Sequence, residues 1–203
     1  MKRLLACLSL VLLLGACQQT MDADVTRFHT VPANYAGQSF TILPDKNQAG
    51  SLEFQHYAEL VAAALQAQGL RPLPHEGPPA DLVVQMHYAS LGNHTDYIYD
   101  PGPYWGGWGW GGWGPGWGWG GYYDGSVSSY TLYAQMLDVE IFDGPAWRAG
   151  KREMAFEGRA VGQSEIRSLN VAMPYLVAAL FRNFPGNSGQ TIQVSVPIGG
   201  SDP

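Results

Sequence analysis

The most reactive residue for its setting lies near the start of the chain. There Leu14-Gly15-Ala16-Cys17 places one thiol behind two small side chains at the end of an apolar run. A thiolate is a nucleophile and a metal ligand, and small residues at the end of an apolar run mark a cleavage junction. The only other cysteine, Cys7, lies inside the apolar run, so removal of that run leaves no disulfide and no thiol metal site. A second set is His87, His94 and Asp96, since imidazole and carboxylate together can bind zinc or serve as acid and base. Their spacing is not the H-E-x-x-H arrangement that puts two ligands on one helical face. No serine sits in a Gly-x-Ser-x-Gly elbow. Gly158-Arg159-Ala160-Val161-Gly162 lacks the lysine and the strand-to-helix setting of a phosphate loop. Glu157 and Arg159 read as a solvated strand face, so the residues point to no catalytic group, no metal and no cofactor.

What precedes Cys17 explains its chemistry. Lys2 and Arg3, an apolar run over residues 4–14 and small residues at the junction are the three parts of a secretory signal peptide, residues 1–16. The run is shorter than the ~20 residues that span a bilayer. The junction resembles the lipobox of bacterial lipoproteins, which implies a diacylglyceryl thioether on Cys17, cleavage before it, and a further acyl chain (palmitate) on the freed amine. Two or three acyl chains anchor a protein stably where one does not. Residues 17–23 then read as a lipidated tether. Gln18-Gln19 follow the cysteine where the resemblance would place Asp in a lipoprotein kept at the inner membrane, which implies the outer membrane, facing the periplasm. Loss of Lys2 and Arg3 changes 11 basic against 17 acidic residues to 9 against 17, a net charge of −8. An acidic domain is repelled by nucleic acid and by anionic headgroups. The expected membrane partner is therefore reached through the lipid, with no basic patch behind it.

The third set is aromatic. Six of the seven tryptophans, Trp105, Trp108, Trp110, Trp113, Trp117 and Trp119, fall within residues 102–125, a segment composed almost wholly of Gly, Trp, Tyr and Pro. Glycine this dense opposes a single backbone conformation, which allows a low-complexity insert with no defined job. Exposed tryptophan is, however, an aggregation hazard that calls for a partner. Indole stacks on sugar rings and its N–H suits the headgroup region, so a glycan, a lipid or an envelope protein are the partners these residues fit.

The elements that must position these sets follow from periodicity. Strands are expected over residues 24–31, 39–43, 81–90, 130–143, 153–161 and 191–196, with a bulge near Met136 and Leu137 where the apolar phase changes. One helix begins at the N-cap Ser51, carries Phe54, Tyr57, Val61, Ala64 and Leu65 on one face, and stops at Gly69 with Leu70 packing back over its last turn. A second runs over residues 170–183 with Asn170 as N-cap, which would put Pro174 in the first turn, and Pro185-Gly186 ends it. Helices mixed irregularly with adjacent strands predict an α+β fold, two helices on one face of a largely antiparallel sheet. The whole of residues 24–203 is one domain interrupted by the Gly/Trp-rich loop insertion.

Several segments together resemble domain-of-unknown-function family 4136, bacterial lipoproteins of about this length. They are the lipobox at Cys17, Ala63-Ala64-Leu65-Gln66-Ala67-Gln68-Gly69-Leu70, Ala80-Asp81-Leu82-Val83-Val84, Leu137-Asp138-Val139-Glu140-Ile141-Phe142-Asp143, Phe156-Glu157-Gly158-Arg159-Ala160, and Leu180-Phe181-Arg182-Asn183-Phe184-Pro185-Gly186. Phe156 departs from the tryptophan the family leads one to expect there. The resemblance implies an α+β lipoprotein and transfers no catalytic residue. The expectation is a noncatalytic cell-envelope lipoprotein, a binding or scaffolding module that presents the Trp/Gly loop. The alternative is an envelope hydrolase or metal-binding protein using His87, His94 and Asp96, and a third reading is a subunit that donates its last strand to a neighbour.

Overall fold

The computed structural model describes residues 19–30, 35–74, 77–100 and 126–199. Strands β1 (Thr20–His29), β2 (Ser39–Ile42), β3 (Arg71–Pro72), β4 (Leu82–Asp100), β5 (Ser126–Asp143), β6 (Met154–Ser164) and β7 (Gln190–Pro197) form one sheet, ordered β3-β2-β4-β5-β6-β1-β7. Only β2 runs parallel to its neighbours; every other pairing is antiparallel. Helices α1 (Leu52–Ala67) and α3 (Leu169–Phe181) cover one face of the sheet, and the short α2 (Gly144–Arg148) follows β5. This is the expected α+β architecture.

The helix-facing layer is built by alternation. Met21, Ala23 and Val25 of β1, Val84 and Met86 of β4, Leu137, Val139 and Ile141 of β5, and Phe156 and Ala160 of β6 are all buried and point to the helices. Phe156, where a tryptophan was expected, is fully buried and packs against Phe184 beyond α3 with ring centroids 4.9 Å apart and the rings tilted by 51°. From α1 come Tyr57, Val61 and Leu65, and from α3 Met173, Leu176 and Leu180, each fully buried. Ser51 caps α1 by accepting the Phe54 N–H at 3.2 Å. At the other end Gly69, at φ 91°, lets the Leu70 N–H reach back to the Leu65 carbonyl at 3.2 Å, a Schellman closure that buries Leu70.

Four of the departures from the sequence expectations concern where β1 and α3 begin and where the bulges sit. First, β1 begins at Thr20, so Thr20 to Ala23, read as tether, already belong to the sheet, where Met21 and Ala23 fill the core. Second, α3 begins at Leu169 with Ser168 as N-cap, not Asn170. Pro174 therefore lies in the second turn, and its missing N–H leaves the carbonyl of Asn170, an exposed residue, to water. Third, the bulge sits on β4, where Leu91 is the extra residue between Ser90↔Gln135 and Gly92↔Ala134. Fourth, a second irregularity between Ile141 and Phe142 leaves Ala155 of β6 without a partner on β5, which turns Met154 to the open face at 40% exposure.

The Gly158 and Gly162 spacing has a packing reason. A Cβ at Gly158 would lie 2.7 Å from the Phe156 ring, and one at Gly162 would lie 2.7 Å from Leu176 Cδ2 and 2.9 Å from Met21 Sδ. These glycines let α3 settle onto β6, and the motif that is not a phosphate loop is a docking strip for a helix.

Candidate functional site

Of the residues singled out by sequence, Cys17 and Trp105, Trp108, Trp110, Trp113, Trp117 and Trp119 lie outside the described residues. The structure does describe what they are attached to. Cys17 precedes the first residue of β1 by three positions, and the tryptophan segment joins the last residue of β4 to the first of β5.

Those two strands run well past the sheet. The last residue of β5 to pair with β6 is Tyr133, opposite Ser164, and β2 pairs with β4 only from Leu82 to Val84. From His94↔Leu132 to Asp100↔Ser126, seven successive pairs have only each other among the described residues. The result is a two-stranded arm, roughly 20 Å long at about 3.4 Å per residue. A ribbon this narrow cannot bury an apolar face. The arm nevertheless exposes Tyr97 (73%), Ile98 (55%) and Val127 (61%), with Leu91 (53%) at its root. It is held by ladder hydrogen bonds and by cross-strand pairs such as Thr95 Oγ1 with Thr131 Oγ1 at 3.0 Å.

The histidine set does not assemble. His94 Nε2 lies 2.8 Å from Asp96 Oδ1, both on the arm and both solvent-exposed, and the Asp96 charge raises the Tyr130 phenol above its ordinary value. His87 lies seven residues back along β4, about 20 Å at the strand rise, where its Nδ1 faces Asp45 Oδ2 at 3.2 Å. Among the described residues no group of three or more His, Cys, Asp or Glu side chains is placed to hold a metal ion.

The open face of the sheet carries a charged row that the sequence treats as solvated. Arg159 donates to Asp138 Oδ2 from Nε at 3.0 Å and from Nη2 at 2.6 Å, and this partner raises the guanidinium above its usual value. Asp138 is nearly buried, and its Oδ1 has no hydrogen-bond partner among the described residues. Beside it burial raises the Glu140 carboxyl, opposed by the His87 charge and reinforced by Asp138 and Glu157. Asp81 has the reverse environment. It accepts the Ser39 N–H at 2.8 Å and the Ser39 hydroxyl at 2.7 Å, which hold its carboxyl below the ordinary range.

Sequence reasoning missed one buried cation. Arg27 points inward from β1 at 3% exposure. It donates from Nε and Nη2 to the Leu180 carbonyl (3.0 and 2.8 Å), and from Nη2 to Ala179 O (3.2 Å) and Arg182 O (2.9 Å). The last carbonyls of a helix lack intrahelical donors and carry partial negative charge. Arg27 therefore serves as a C-terminal cap supplied by a strand, at the cost of desolvation, which lowers its pKa. An arginine in a strand with alternating apolar neighbours was the only available signal.

These features define an α+β protein with two helices on one face of a mixed seven-stranded sheet and a hairpin arm that leaves its end. Residues 24–186 match the family described as Domain of unknown function (DUF4136), and the chain belongs to that family. No curated protein matches it in sequence. Among solved structures, a PDZ domain protein from Parabacteroides distasonis is similar at 12% identity and a TM-score of 0.45, over 89% of this chain and 40% of that one, so this chain spans two fifths of that protein's length. A PelC dodecamer from Paraburkholderia phytofirmans is similar at 13% identity and a TM-score of 0.38, over 77% of this chain and 92% of that one. Among the described residues no helix is long and apolar enough to cross a membrane.

Proposed function

We propose that this protein is a noncatalytic lipoprotein of the bacterial cell envelope, tethered through lipid on Cys17 in the outer membrane, facing the periplasm. Its working part is the β4–β5 arm with residues 102–125 at the end, acting as a binding or scaffolding module toward a glycan, lipid or envelope protein. The observation that carries this reading is the arm itself. Seven strand pairs continue beyond any third strand among the described residues and expose Tyr97, Ile98 and Val127, where a loop without a partner would need neither the length nor the apolar surface. The separation of His87 from His94 supports a noncatalytic role, because acid–base or metal chemistry needs such groups to converge.

Asp100 and Ser126 are direct register partners, so residues 101–125 can be replaced by Asn-Gly to close a two-residue hairpin. We expect this deletion to abolish retention by peptidoglycan sacculi, lipid vesicles or solubilised envelope proteins, whichever retains the intact chain. Binding that is unchanged by the deletion would refute the role of the arm. The anchor is tested apart from the arm: Cys17→Ser should accumulate as uncleaved or soluble chain and take up no radiolabelled palmitate.

A further inference from the structure

The start of the chain and the arm share one end of the sheet. Asp22 of β1 pairs with Gln163 of β6, Gln163 pairs with Ala134 of β5, and Ala134 pairs with Gly92 of β4, so one row joins the first turn of β1 to the root of the arm. The same proximity is seen in space: Gln19 and Thr20 line a cavity of about 490 Å³ together with Tyr130 and Leu132. Gln19 Nε2 also donates to Glu165 Oε2 at 2.7 Å, which fixes the entry of the chain at that edge. Continuing the register places Thr20 level with Leu132 and His94. From that level the arm extends roughly 20 Å to Asp100, whereas the three residues from Thr20 back to Cys17 span at most about 11 Å.

From this geometry we infer that the partner of the arm is the lipid bilayer itself, met end-on by the outer pairs of the arm, Tyr97 to Asp100 with Ser126 to Ser129. The inference rests on the proposed lipid anchor. A chain held by lipid on Cys17 has its β1 end within about 11 Å of the surface, and an arm about twice that length leaving the same end reaches the headgroup layer and passes into it. The surface chemistry of the arm fits immersion better than one-sided docking. By strand alternation Tyr97 and Val127 lie on one face and Ile98 on the other, beside His94 and Asp96, so exposed apolar side chains stand on both sides of the outer arm. Residues 89–133 contain no lysine or arginine and include Asp96, Asp100 and Asp124. The attraction is thus interfacial and apolar, of the kind that concentrates Tyr and Trp at membrane–water boundaries, and it does not depend on anionic lipid.

The test uses the full mature chain carrying Cys17→Ser, so that no lipid anchor contributes, with vesicles of pure phosphatidylcholine. The protein should sediment with the vesicles, and its tryptophan emission should be quenched by phosphatidylcholine brominated on the acyl chains. The triple variant Tyr97→Asp/Ile98→Asp/Val127→Asp should lower the bound fraction at least tenfold with an unchanged melting temperature, since all three side chains are exposed. Ile98→Asp alone should weaken binding severalfold and serves if the triple variant does not fold. Absence of sedimentation, binding indifferent to these substitutions, binding abolished by high salt, or retention on sacculi or another envelope protein with none on vesicles would each overturn the inference. Palmitate labelling of Cys17 reports on the anchor separately. Vesicle binding that depends on the arm in a chain that never takes up palmitate would refute the anchor and leave the lipid partner standing.

Discussion

The inner and outer halves of β4 are one continuous strand built under two different sets of rules. From Leu82 to Ser90 it is covered by helices on one face, and Val84 and Met86 are fully buried. From Gly92 to Asp100 it has one neighbour among the described residues, β5, and Tyr97 and Ile98 stand in solvent. The inner half is where folding free energy is gained, because apolar area leaves water there at about 25 cal/mol per Å². The outer half gains almost none of this and persists because the inner half fixes its direction and register. Stability and presentation are thus separated along a single strand, and substitutions should divide in the same way.

The largest effect should come from the body. Arg27→Met removes the donors to the Ala179, Leu180 and Arg182 carbonyls and leaves buried acceptors unpaired, which we expect to cost about 3 to 5 kcal/mol. Denaturant unfolding monitored by circular dichroism measures it, and a loss below 1 kcal/mol, about the net value of one ordinary hydrogen bond, would show that the carbonyls find other donors. Next, Leu65→Ala and Leu180→Ala each empty a fully buried site between helix and sheet and should cost about 2 to 5 kcal/mol. Unchanged melting of both would remove the two-helix layer from the core.

A smaller effect concerns pH. The folded state holds the Asp81 carboxyl below its ordinary value, so its contribution is present above that value and is lost as pH falls through it and beyond. The melting temperature should therefore fall more steeply for the native chain than for Asp81→Asn between about pH 5 and pH 3. Parallel curves would mean that Ser39 does not stabilise the carboxylate. The smallest loss should come from the arm. Replacing residues 101–125 by Asn-Gly takes the loop through between three and four halvings of length at about 0.6 kcal/mol each, so stability should not fall and can rise by about 2 kcal/mol. Unfolding on deletion would make the tip part of the core and erase the contrast between the halves.

The contrast also explains what could be read from sequence. α1 was legible throughout because cap, apolar stripe and terminating glycine all act within the element. The inner strands were legible because one buried face imposes alternation. The arm was not: residues 92–100 and 126–129 are held by a partner strand and bury little, so they carry no period-two signal and read as loop. β3, two residues long and containing Pro72, leaves no pattern at all. The start of β1 was within reach, since Met21, Ala23 and Val25 alternate with Thr20, Asp22 and Asp24. Pro174 set the start of α3 too late, because a proline beyond the first turn was discounted although an exposed carbonyl tolerates it. Cys17 and the six tryptophans came from sequence alone, while the arm and the shared end of the sheet came from the fold.

Leu91 governs more than a local kink. His87 and His94 are an odd number of residues apart, and in an uninterrupted strand they would project to opposite sides. They share a side because one unpaired residue between them reverses the parity of everything that follows on β4, while β5 keeps its own. Removing Leu91 would make Ser90 and Gly92 consecutive opposite Gln135 and Ala134, so every pair out to Asp100↔Ser126 and the side of each outer residue would be kept while the bend was lost. The extra residue therefore aims the arm, and a change of angle at this joint is carried roughly 20 Å to its end without altering which side chains share a face.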